Sequence, residues 1–137
     1  MGKPKKSVRF IIPPYSSNRA DWRRLVNKTA FKAMQSAGVK YLPSDKIEIW
    51  IQLCLPLTQF KKMDVDNMAK IAIDALQGLR LGDNRKSRSL HVIIPNDNQI
   101  HRLIVEKYDT LIESGGEIKI RKFGGYRLST RVGKKVR

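Results

Sequence analysis

Between Pro43 and Pro56 the chain runs KIEIWIQLCL (residues 46–55), and there Ile47, Ile49, Ile51, Leu53 and Leu55 alternate with Glu48, Trp50 and Gln52. Successive side chains of an extended chain point to opposite sides, so this alternation marks a strand with one buried face. Such a face has to be covered, and the rest of the chain must supply both partner strands and a layer to pack on them. Residues 7–12 (SVRFII), ended by Pro13-Pro14, read as a second strand. Residues 90–94 (LHVII), closed by Pro95-Asn96-Asp97-Asn98, and residues 117–123 (EIKIRKF), released by Gly124-Gly125, read as two more. Helical spacing fills the intervals. Ser17 or Asn18 can cap a helix carrying Trp22, Leu25, Val26, Thr29, Ala30, Ala33, Met34 and Ala37, with Gly38 as its stop. After a loop over 57–63, residues 64–79 form a helix with the stripe Met68, Ala72, Ala75, Leu76 and Leu79. Ile100, Leu103, Ile104, Tyr108, Leu111 and Ile112 suggest a third helix over 99–113. The expected fold is α/β (α+β): a small mixed sheet with helices packed on it, in β-α-β-α-β-α-β order. A length of 137 residues suits one domain with basic flexible ends at about 1–6 and 125–137.

Charge narrows the partner. The chain holds 28 Lys+Arg against 12 Asp+Glu, a net charge of +16. So large a like-charge excess repels itself unless a polyanion neutralises it, and nucleic acid is the commonest such partner, with an anionic membrane surface the main rival. No apolar run approaches the roughly 20 residues that cross a bilayer, and the apolar stretch behind the basic start is too short for a signal peptide. A lone Cys54 excludes a disulfide scaffold. The expectation is a soluble cytoplasmic protein that meets nucleic acid and no membrane.

The scarce acids carry more information than the abundant bases. Four of the twelve, Asp64, Asp66, Asp74 and Asp83, fall within 64–83, among Lys61, Lys62, Lys70, Arg80, Arg85, Lys86 and Arg88. If Asp64 to Asp66 is extended, its two carboxylates share a side and form half of a site for a hard cation, which favours carboxylates, retained waters and substrate phosphate oxygens. Without a metal, acids beside phosphates would weaken binding by repulsion, so their presence in a basic surface points toward a nuclease. The alternative is structural: Asp66, Lys70 and Asp74 are spaced i, i+4, i+8 as in a salt-bridge ladder, and Asp64 or Asp66 can serve as a helix cap. His91 and His101 lack partners at ligand spacing, and Trp22 and Trp50 are expected in the core.

The longer string is more specific. Asp64-Val65-Asp66-Asn67-Met68-Ala69-Lys70, followed by Asp74-Ala75-Leu76, resembles the signature of the RusA family of Holliday junction resolvases: Asp-x-Asp-Asn-x-x-Lys, then Asp-Ala-Leu, then one or two further aspartates. Pro13-Pro14-Tyr15-Ser16-Ser17-Asn18-Arg19 is similar to the family's Pro-Pro-Ser-x-Asn opening. The resemblance covers residues 7–95; residues 98–116, with room for a helix, depart from the family's shorter link. It implies a homodimeric, magnesium-dependent endodeoxyribonuclease (manganese as the alternative ion, and no small-molecule cofactor) that cuts four-way DNA junctions. By resemblance Asp64 and Asp66 are metal ligands and catalytic, Lys70 steadies phosphate charge, and Asp83, the acid available in Gly82-Asp83-Asn84, is the third ligand. Lys61, Lys62, Arg85, Lys86, Arg88 and Arg19 are expected to hold DNA backbone. Three other functions fit the same residues: a junction-binding protein with weakened catalysis, motivated by Asn84 where a second aspartate is common; a basic structural RNA-binding protein; and a nuclease for other branched DNA.

Overall fold

The alternating run becomes an interior strand of a four-stranded sheet. The computed structural model describes residues 6–14, 18–80, 85–110 and 115–125. Their elements are β1 (Ser7–Ile12), α1 (Arg19–Ala37), β2 (Ile47–Pro56), the one-turn α2 (Leu57–Phe60), α3 (Val65–Gln77), a 3-10 turn (Asp97–Gln99), β3 (Ile100–Thr110) and β4 (Gly115–Lys122). The sheet order is β1-β4-β2-β3. β4 pairs antiparallel with β1 and β2, and β3 runs parallel to β2, making the sheet mixed and the fold α+β.

Ile47, Ile49, Ile51, Leu53 and Leu55 are all fully buried, as alternation requires. They meet Val8, Phe10, Ile12, Ile118 and Ile120 from the neighbouring strands, and Trp22, Val26, Ala30, Met68, Ala72 and Leu76 from α1 and α3, in one core. Asn18 caps α1 by accepting the Asp21 amide, and Gly38 ends it in the left-handed region at φ 65°. Gly78 ends α3 the same way at φ 72°, and a Cβ there would lie 2.9 Å from the His91 carbonyl oxygen, so glycine is required on two counts. Buried Asn27 then ties these parts together. Its Nδ2 donates to the carbonyls of Ala75 and His91 (both 2.7 Å), and its Oδ1 accepts the His91 amide at 2.9 Å.

Three sequence expectations are corrected. Residues 90–94 are not a strand. Ile93 and Ile94 are buried, but their amides donate to the Leu76 carbonyl at the end of α3 (2.8 and 3.0 Å) and not to a sheet ladder. The expected third helix is β3, so the β-α-β-α-β-α-β order becomes β-α-β-α-α-β-β. The apparent helical spacing from Ile100 to Tyr108 splits between two strand faces: Ile100, Leu103 and Val105 stand on the helix side, with Ile100 and Val105 packed on the core, whereas Ile104 and Tyr108 are exposed on the other. Trp50 is only half-buried, on the sheet face away from the helices, where Arg121 and Lys119 lie 4.8 and 5.3 Å from its ring centre. Trp22 is in the core as expected, its Nε1 donating to the Pro13 carbonyl at 3.0 Å.

Candidate active site

The acidic motif opens α3. Asp64 occupies the N-cap position with extended dihedrals (φ −79°, ψ 137°), yet its side chain makes no capping hydrogen bond. Asp66 is already in the first helical turn, so the pair straddles the helix start and does not lie along an extended segment as the sequence suggested. One Asp66 oxygen accepts the adjacent Asn67 amide at 3.0 Å. Both aspartates and Lys70 are exposed.

The loop in front of Asp64 is held from β3. Lys107 Nζ donates to the carbonyls of Phe60 and Met63, both at 2.7 Å, and lies 4.2 Å from the centre of the Phe60 ring. Lys61 and Lys62 lie in that loop with exposed side chains.

A cleft of about 1070 Å³ runs beside α3. One wall carries Asp66, Lys70 and Asp74, the i, i+4, i+8 stripe read from the sequence, and the facing wall carries Lys86, Asn96 and Asp97. Ile100, Leu103 and Val105 of β3 contribute an apolar part of the lining. Asp97 was absent from the sequence expectations; the fold sets it by Asp74, toward the C-terminal end of α3. Its turn is fixed by a capping box: Asn96 accepts the Asn98 amide at 3.0 Å, and Gln99 Oε1 accepts the Asn96 amide at 2.9 Å. Gln77, at the last turn of α3, accepts the Asp97 amide at 3.2 Å. Lys86 braces the same wall by donating to the carbonyls of Gln77 (2.9 Å) and Pro95 (3.0 Å). The signal was present in Asn96-x-x-Gln99, a capping pattern set directly before an apolar run, but a turn-prone tetrapeptide by itself says nothing about what lies opposite.

Electrostatics couple the two walls. Burial pushes the Asp74 carboxyl above its ordinary value; Arg23 and Lys70 pull it down, and Asp97 pushes it up. Burial lowers the Lys86 ammonium, and Asp97 opposes that shift. The donors are oxygens, with neither His nor Cys in the lining. Among the described residues no three acid, His or Cys side chains gather closely enough to hold a metal by themselves. Oxygen donors of this kind suit a hard divalent cation.

Asp83 lies outside the described residues, as do Asn84, Tyr15 and most of the basic ends. Arg19, Arg85 and Arg88 are exposed at the surface. His91 stacks on Phe31 with ring centres 3.6 Å apart, a packing role.

An acid-lined cleft with a lysine in its wall, set in a strongly cationic α+β domain, suits an enzyme that acts on nucleic acid. Comparison with family models then gives the particular kind: the chain matches endodeoxyribonuclease RusA over residues 3–121 and belongs to that family of DNA-binding, Holliday-junction-resolving endonucleases of DNA recombination. Nucleases of this kind generally work with a divalent metal. A search of curated proteins finds no match. Among the described residues no helix is long and apolar enough to cross a membrane.

Proposed function

We propose that the chain resolves four-way DNA junctions by magnesium-dependent phosphodiester hydrolysis, with manganese able to substitute, and that Asp64, Asp66 and Asp83 hold the ion. What supports this is the family match together with the start of α3: Asp64 and Asp66 are exposed there, and Asp66 and Lys70 line the cleft beside it. The cap alternative for Asp64 is weakened because its carboxylate makes no capping bond. Asp97 lines the same cleft, but Gln77 at the last turn of α3 accepts its amide, so it stands by Asp74 and away from Asp64 and Asp66.

Bound there, the ion would lower the pKa of an attacking water and offset charge on the phosphodiester. The chain does the rest. Lys70, one turn from both Asp66 and Asp74, offers its ammonium to the scissile phosphate, where charge grows in the transition state. Lys61 and Lys62, ahead of Asp64, and Arg19, Arg85 and Arg88 grip neighbouring backbone. Lys86 is committed to two carbonyls and acts by holding the Asp97 wall in place. The working unit is a homodimer in the cytoplasm, since a junction offers two symmetric strands and a two-fold pair presents two matching sites.

A synthetic four-way junction tests the assignment. Paired, metal-dependent nicks are expected, reduced by about 100-fold or more in Asp66→Asn and in Asp83→Asn. Normal cleavage by Asp83→Asn would remove position 83 as the third ligand. Tight binding without cleavage in either metal would leave a junction-binding protein of the same fold, and preference for RNA would favour the structural alternative.

A further inference from the structure

Behind the cleft lies a second, smaller concavity of opposite character. Its volume is about 170 Å³, and Arg23, Arg24, Arg80, Ser87 and Ser89 line it together with Ala20, Leu79 and Leu90. Among the described residues no carboxylate is in that lining. Of the described acids, Asp21 pairs with Arg24, and Asp74, in the cleft, acts on Arg23 through charge. At roughly 30 Å³ of liquid per water, the space matches a few waters or one phosphate group.

The lining is built. Ser87 and Arg80 sit on two short antiparallel segments joined by the Leu79–Lys86 bridge, with the Arg80 amide donating to the Arg85 carbonyl (2.9 Å) and the Ser87 amide to the Gly78 carbonyl (2.7 Å). The hydroxyls of Ser87 and Ser89 are 3.0 Å apart. Arg23 is only 3% exposed. One terminal nitrogen donates to the Leu79 carbonyl, but its buried Nε has no hydrogen-bond partner among the described residues. A buried guanidinium with an idle donor is costly to hold, and an anion in the adjoining space would offset that cost.

We propose that this pocket is a phosphate-binding subsite, and that it takes a backbone phosphate of the DNA strand whose scissile phosphate lies in the cleft. The two sites share Leu79 as a wall, so one strand can reach both. Guanidinium groups suit a phosphate because their planar forks donate in pairs, and the serine hydroxyls can rotate to donate as well. The DNA half of this proposal rests on the proposed function; the phosphate half does not.

The test uses the full chain, first with inorganic phosphate and no DNA. Phosphate, against chloride at matched ionic strength, is expected to shift the Arg23 Nε–Hε resonance saturably, and Arg24→Gln with Arg80→Gln is expected to abolish the shift. Junction binding is then measured in EDTA, so that cleavage plays no part. The same pair of substitutions is expected to weaken it on the order of tenfold and to lower the salt slope by about 1. Ser87→Asp with Ser89→Asp should do the same by repulsion, with circular dichroism confirming the fold. The charge-matched pair Lys28→Gln with Lys32→Gln, exposed on α1 and outside the pocket, should lose less. Equal loss in that pair overturns the subsite, as does absence of any phosphate response. A phosphate response with junction affinity unchanged in the pocket variants overturns the DNA assignment. Pocket-dependent binding by a protein that cuts no junction in any metal would defeat the proposed function and leave the subsite standing.

Discussion

Glu48 lies on the β2 face away from the helices, yet its side chain is fully buried. Arg102 and Arg121 stand directly opposite it on β3 and β4 and both bond its carboxylate, Arg102 Nη1 at 2.7 Å from Oε2 and Arg121 Nε to Oε1. Burial pushes the Glu48 carboxyl up, but the two guanidinium groups outweigh it and hold it below the usual glutamate range. A depressed folded pKa means stability that is present above the unfolded value and lost as pH falls through the folded one. Glu48→Gln should therefore cost about 2–3 kcal/mol at neutral pH, judged by urea unfolding, and the deficit should shrink once pH drops below about 4. A deficit that stays constant down to pH 3 would show that packing, not charge, is what Glu48 supplies. At this scale the sequence was legible where chemistry is local: the spacing of Asp66, Lys70 and Asp74 along one helix face is the spacing found in the cleft. Asp97 was not legible, because 23 residues separate it from Asp74 and only the turn before β3 brings the two into one cleft.

Elements divide in the same way. β1, α1, β2 and α3 follow from alternation, caps and stop glycines, all properties of neighbouring residues. β3 does not, because its strand state is set by ten residues of parallel register with β2, a non-local ladder that overrides local spacing. Side chains confirm that register: Glu48 meets Arg102, and Gln52 Nε2 donates to Glu106 at 3.1 Å. The apolar run at 90–94 imitates a strand because burial, whatever satisfies the backbone, asks for the same residues. Placing 100–110 in the sheet also gives Lys107 its task. Its ammonium holds Phe60 and Met63, the residue before Asp64, and so sets the entry of α3. Lys107→Met should keep junction affinity within about threefold yet lower the cleavage rate by about 10-fold or more, because misplacing a reacting group by an ångström is costly. Matching losses of affinity and rate would mean that Lys107 contacts DNA instead.

For the whole molecule, charge and symmetry have to be satisfied together. A net charge of +16 on 137 residues gives grip on any nucleic acid and opposes the approach of a second copy. DNA relieves that repulsion by neutralising both copies, so the homodimer proposed here should be firmer on the junction than free in solution, and both should weaken steeply with salt. Two sites on one junction also make a kinetic distinction. If the second nick follows within the lifetime of one complex, a supercoiled plasmid with an extruded cruciform passes directly to linear product. If single copies act independently, nicked circles accumulate first, because the first nick releases the supercoiling that holds the cruciform. Direct linearisation is expected at moderate salt, with nicked circles rising as salt weakens the complex. Nicked circles at every salt concentration, from a protein that sediments on junction DNA as one copy of 15.7 kDa, would remove the dimer from the proposal and leave the cleft chemistry intact.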